Sequence, residues 1–153
     1  MSMKVVFNNL IPFPGFLAIT IFPFVFVREK LRERFTEVAR NHENCHGYQQ
    51  VEVMLATLII VTIFVLFGAS PWWFLVVPFS FYALYILEWG IRILVHGYDE
   101  AYRNISTEQE AYMNETDLQY LKSRKPFAWV KFLFRKTYNK QASRNTIFDK
   151  DDF

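Results

Sequence analysis

The chain has 153 residues and a net charge of +2, enough for one domain and hardly for two. Hydrophobic residues make up 52% and aromatic residues 19%, with 17 Phe, against about 45–50% apolar in an ordinary soluble domain. The near-balanced charge offers no basic surface for nucleic acid, and one cysteine, Cys45, excludes an intramolecular disulfide.

At the N-terminus only Lys4 precedes the first apolar run, and Pro12, Pro14, Gly15 and Pro23 interrupt the apolar residues, which is not the pattern of a secretory signal. Residues 4–12 and 16–28 are rich in Phe, Ile and Val, with a Pro14-Gly15 turn between them. The alternative for 16–28 is a short membrane helix. Pro23 would cost a helix interior about 3 kcal/mol, and β-branched and aromatic residues dominate, so the two runs are expected to form a strand pair.

Residues 29–50 turn polar and helix-forming, with Leu31, Phe35 and Val38 at helical spacing. Two long apolar runs come next, residues 51–69 and 72–95, each close to the ~20 residues that a membrane span needs. The Gly-Ala-Ser-Pro break between them is short enough only for a hairpin. A chain this short can hardly bury two helices that are apolar all round, so a transmembrane hairpin is expected, with Trp72 and Trp73 at one interface and Trp89 near the other. Glu88, costly in lipid, has Arg92 one helical turn away as a partner. Lys and Arg cluster on both flanks (Arg28, Lys30, Arg32, Arg34 and Arg40 before; Arg103, Lys122, Arg124, Lys125 and Lys131 after) and are missing from the hairpin tip. Both flanks are therefore expected on the cytoplasmic side.

Beyond the hairpin, Ser106 or Thr107 is expected to cap a helix that opens with Glu108 and Glu110 and runs to about Ser123, before Pro126. Residues 127–138 read as a basic, aromatic amphipathic helix on the membrane surface, and the tail from Lys140 is polar.

The sharpest motif is His42-Glu43-Asn44-Cys45-His46. On a helix, residues four apart share a face, so both imidazoles can reach one Zn²⁺, and Glu43 stands where a general base would activate a metal-bound water. Cys45 points off that face and reads as a buried thiol. For a third ligand, Glu52 occupies the position six residues after His46. However, Gln49 stands where a helix-ending Gly would be needed, so Glu52 is carried away from the metal. His96 at a helix end is a weaker candidate. Glu108 and Glu110 are better placed, because the hairpin returns the chain to the side of the motif and their helix can pack its first turn beside the histidines. Tyr98, Tyr102 and Tyr112 are candidate oxyanion donors.

The pair His42-Glu43-x-x-His46 and Glu108-Gln109-Glu110-Ala111-Tyr112 resembles the gluzincin-type zinc metallopeptidases of membranes, those of the HtpX and BlaR/MecR kinds among them. Those families carry HExxH on one helix and E-x-x-A/C-D on a later one. The resemblance implies Glu108 as third zinc ligand and Ala111 as the small residue, with Glu110 left open as an alternative. Tyr112 stands where the families place an Asp that orients a ligand histidine. Asn41–Glu52 and Tyr102–Tyr112 are also similar to segments of small bacterial HExxH membrane proteins, which implies a bacterial inner membrane.

The expectation is thus one α+β, zincin-like minimal core, with strands and motif helix in 1–50, a transmembrane hairpin in 51–97, a ligand helix and amphipathic helix in 98–139 and a tail in 140–153. Its expected chemistry is zinc-dependent hydrolysis of a peptide or protein substrate at the membrane lipid surface. The rival expectations are a structural or sensory zinc site without catalysis, and a membrane accessory protein without metal.

Overall fold

The computed structural model describes residues 2–13 and 15–134, apart from the side chain of Asp99. It is a mixed α+β structure, mostly helical, with a small sheet at the N-terminal end.

The sheet has three strands where a pair was expected. β1 (Lys4–Asn8), β2 (Ala18–Ile21) and β3 (Phe24–Arg28) are ordered β1-β3-β2. The run 16–28 folds back on itself at Phe22-Pro23, so β2 and β3 pair antiparallel with Thr20 opposite Val25. β1 runs parallel to β3, with Val5 opposite Val25. Proline has no N–H for a ladder, and here it falls in the turn that divides the run. Met3, Val25 and Val27 form the buried core, with Val5, Phe7, Ala18 and Phe35 packed against them. Met3 also presses on the first long helix: its N–H donates to Asn44 Oδ1 at 3.0 Å, and a Cβ at Gly47 would collide with its side chain.

Residues Glu29–Arg34 make a 3-10 turn, and the helix expected from about Leu31 begins later, as α1 (Glu37–Leu66). Thr36 is extended and caps it, its hydroxyl accepting from Ala39 N at 3.3 Å. α1 is 30 residues long and unbroken from the motif into the apolar run. Its Asn41–Gly47 stretch is buried, whereas Leu55, Ile59, Ile60 and Phe64 are exposed. After the tip, residues Pro71–Phe79 form a 3-10 segment that accommodates Pro78, and α2 (Ser80–His96) continues from it. Both stretches, Glu37–Leu66 and Pro71–His96, are long and apolar enough to cross a membrane.

Gly97, with φ of +78°, ends α2, and α3 (Tyr98–Ala101) leads to α4 (Ser106–Asn114) and α5 (Tyr120–Ser123). The single helix expected over 106–123 is therefore broken. Asn41 Nδ2 donates to the carbonyls of Asn114, Glu115 and Asp117 at 3.0–3.2 Å and holds the backbone where α4 stops. Ser106 and Thr107 are not side-chain caps either. The Glu88 carboxylate, reaching from α2, accepts from Ser106 N at 2.8 Å and Ser106 Oγ at 2.6 Å. Glu88 also pairs with Arg92 at 2.9 Å, as its spacing suggested. In the expected amphipathic helix, Ala128–Phe132 is a 3-10 turn. Its residues 135–138, and the tail 140–153, lie outside the described residues.

Candidate metal centre

α1 and α4 bring two imidazole nitrogens and one carboxylate together. His42 Nε2 and His46 Nε2 are 3.2 Å apart, His46 Nε2 is 3.3 Å from Glu108 Oε1, and His42 Nε2 is 3.6 Å from Glu108 Oε2. Ligands about 2.0–2.1 Å from a tetrahedral zinc stand about 3.3–3.4 Å from one another. All three residues are buried, and the group could hold a metal ion.

The hydrogen bonds behind the ligands fix which nitrogen faces the centre. His42 Nδ1 lies 2.9 Å from Glu115 Oε2, and His46 Nδ1 lies 2.8 Å from Gln49 Oε1. A carboxylate can only accept. The Gln49 amide donates its nitrogen to Thr107 O at 3.0 Å and Glu110 Oε2 at 2.9 Å, so its oxygen too is an acceptor. Each imidazole thus keeps its proton on Nδ1 and turns an Nε2 lone pair inward. Two lone pairs and a carboxylate converging in a buried space is a donor set that a cation satisfies. Glu108 Oε2 is buried with no hydrogen-bond donor among the described residues, which is the atom such an ion would engage.

The other sequence candidates separate clearly. Glu110 lies outside the cluster: its carboxylate accepts from Tyr120 OH at 2.6 Å and Arg124 Nε at 2.7 Å. Glu52, set aside from the sequence, closes the same network by pairing with Arg124. His96 ends α2 and lies outside the cluster. Tyr112 does not replace the orienting Asp of the resembled families. It packs its ring edge-on against His42, with centroids 4.7 Å apart, and Glu115 does the orienting three residues later.

Glu43 lies on the cavity side of α1, and Thr20 of β2 donates to its Oε2 at 2.6 Å. The cavity, about 330 Å³, has Glu43, His46 and Glu108 at its polar end and residues from the N-terminal segment and α2 as its walls. Sequence reasoning did not single out Thr20, Glu115, Arg124 or Tyr85, whose hydroxyl donates to Glu108 Oε1 at 2.8 Å. Tyr102, a candidate from the sequence, lines the cavity. Burial and the Glu108 charge push its phenol well up, so it remains a proton donor. Tyr98 is exposed.

Comparison with protein-family models, curated proteins and solved structures finds no match, so the centre is interpreted from its own geometry.

Proposed function

We infer that the chain is a membrane-associated, zinc-dependent metallopeptidase with His42, His46 and Glu108 as metal ligands and Glu43 as general base. The observation that carries this reading is the convergence of two Nε2 atoms 3.2 Å apart on one buried carboxylate, whose two oxygens stand 3.3 and 3.6 Å from them. Hard carboxylate and two imidazoles suit Zn²⁺, and three protein ligands leave a fourth position for water or substrate. A bound zinc supplies a water of lowered pKa and polarises a carbonyl oxygen.

The protein's own groups divide the remaining work. Glu43 takes up a proton at the cavity face, held in place through Oε2 by the Thr20 hydroxyl. Tyr102, which also lines the cavity, offers a hydroxyl donor. β2 is an edge strand. Leu17 O accepts from Arg28 N, so the alternation of an antiparallel ladder turns the backbone of Ala18 and Thr20 away from β3. Both residues line the cavity; the Thr20 carbonyl is already met by Gln50 and Tyr82, so an extended peptide can add to the edge at Ala18. Hydrophobic helices and basic flanks favour a membrane location with the centre on the cytoplasmic side, and the resemblance of Asn41–Glu52 and Tyr102–Tyr112 to small bacterial proteins makes a bacterial inner membrane our choice of location.

The deciding experiment is metal content by mass spectrometry on detergent-purified protein. About one zinc per chain, lost in His42→Ala and Glu108→Ala but kept in Glu110→Ala, is expected of this centre. Wild type without zinc after reconstitution would sink the reading. Zinc present with no peptide cleavage that depends on Glu43 would leave a structural or sensory metal site.

A further inference from the structure

The N-terminal sheet ends in an apolar tip. Turns at a protein surface are normally polar, yet Ile21, Phe22 and Phe24 are exposed around the β2–β3 turn. The neighbouring loop adds Leu10 and Phe13, 83% and 75% exposed. Such a patch needs a covering phase, and its position along the two long helices indicates which one.

Three hydrogen bonds set the depth of the tip. Gln50 accepts from Phe22 N at 2.9 Å and donates to Thr20 O at 2.7 Å. Tyr82 OH donates to the same carbonyl at 2.7 Å. Gln50 is three residues, about one helical turn, before the apolar run of α1 that starts at Val53. On the other side, the uncharged stretch from Pro71 begins with nine 3-10 residues, about 18 Å long. Ser80 to Leu87 continues it for about 12 Å before Glu88. A hydrocarbon core is about 30 Å thick, so filling it with this stretch puts Tyr82 inside. Thr20, tied to Tyr82, lies at the same level, and the turn at Phe22-Pro23 is one strand step beyond it along β2. The hydrogen bonds fit that setting. Edge-strand backbone groups exposed to lipid are costly, and those at the tip are met by Gln50 and Tyr82.

We propose that the β2–β3 turn and the Leu10–Phe13 loop are immersed in lipid beside the two apolar helices, so that the cavity before His46 opens sideways into the bilayer. Phe13, Phe16, Phe81, Ile86 and Trp89 form walls without a Lys or Arg among the described residues, and the charged groups are confined to the centre. The occupant that enters by this route is an apolar stretch of a membrane-inserted polypeptide, extended at the point where it pairs with β2. This statement of the occupant rests on the peptidase reading, whereas the immersion of the tip does not.

The test uses spin labels on full-length protein in phosphatidylcholine–phosphatidylglycerol vesicles. Cys45, the only cysteine, is buried, so single cysteines placed elsewhere take the label selectively. Phe13→Cys, Phe22→Cys and Phe24→Cys probe the tip, Leu55→Cys is the lipid reference, and Glu33→Cys on the exposed 3-10 turn is the water reference. Three tip sites guard against one variant that fails to fold. Immersion predicts that accessibility to a water-soluble nickel chelate falls at the tip sites to the level at Leu55, while oxygen accessibility rises. Tip labels matching Glu33, or a Leu55 label in water, overturn the proposal. Zinc measured on the same samples separates the two ideas. A lipid-buried tip without zinc leaves the surface standing and removes the peptidase, and zinc with a water-exposed tip does the reverse.

Discussion

Glu115 stands 2.9 Å from His42 Nδ1 although 73 residues separate them in the chain. The contact exists because Asn41, the neighbour of His42, gathers the carbonyls at the end of α4 and turns Glu115 inward. Carboxylates behind a ligand histidine fix its tautomer and strengthen it as a donor. Glu115→Ala is expected to weaken zinc binding about 10–100-fold, measured by chelator competition, with the zinc stoichiometry at saturation unchanged. An affinity equal to wild type would deny Glu115 this role.

Thr20 and Glu43 are the pair to separate catalysis from metal binding. Glu43→Gln keeps the shape of the side chain and removes the proposed base, so on the peptidase reading zinc content and melting are expected to persist while cleavage falls by about 10²–10⁴-fold. Thr20→Val removes the 2.6 Å hydrogen bond to Glu43 Oε2 and nothing at the metal. A neutral-to-charged hydrogen bond is worth about 1.5 kcal/mol, which predicts roughly a tenfold loss in kcat with zinc affinity unaltered. Equal activity in Thr20→Val and wild type would show that Glu43 is held by other means.

Arg124 tests the structural half of the acidic cluster. Its guanidinium, 2% exposed, pairs with both Glu110 and Glu52. Arg124→Ala leaves the fully buried Glu110 carboxylate without its cation, a loss of about 3–5 kcal/mol. The expected result is a large drop in melting temperature in detergent, with zinc still bound by the folded fraction. Loss of zinc without loss of stability would mean that Glu110 belongs to the centre after all.

The legible parts of the sequence were those whose geometry is local. The i, i+4 spacing of His42 and His46 needs only a helix, and the two apolar runs need only length and composition. Glu108 came from the E-x-x-A resemblance and could not be told from Glu110 by composition. Two residues apart on a helix, they face different sides, and the packing of α4 on α1 decides which side meets the histidines. Partners across long separations left no local mark, as with Thr20 and Glu43 or Arg124 and Glu52. The strand pair became three strands because β-propensity marks extended chain without saying where it reverses. Ser106 read as a cap on local grounds, but its hydroxyl donates instead to a carboxylate 18 residues earlier.

That carboxylate, Glu88, couples the apolar hairpin to the candidate metal centre. It accepts from Ser106 N and Oγ and holds Arg92, which in turn donates to Leu133 O at 3.0 Å. The start of α4 is thereby fastened to α2, two residues before Glu108. Glu88→Gln keeps an oxygen for Ser106 N, whereas Glu88→Ala frees the helix start and leaves Arg92 unpaired by its carboxylate. If the fastening positions the third ligand, Glu88→Ala should weaken zinc binding by roughly tenfold, an order set by such supporting contacts, and Glu88→Gln by clearly less. Both variants lose the ion pair with Arg92, so a purely structural role would lower their melting temperatures alike and leave their zinc affinities equal. A difference in affinity between them is the signature of positioning, because Glu88→Gln keeps an oxygen for Ser106 N and Arg92 whereas Glu88→Ala keeps neither.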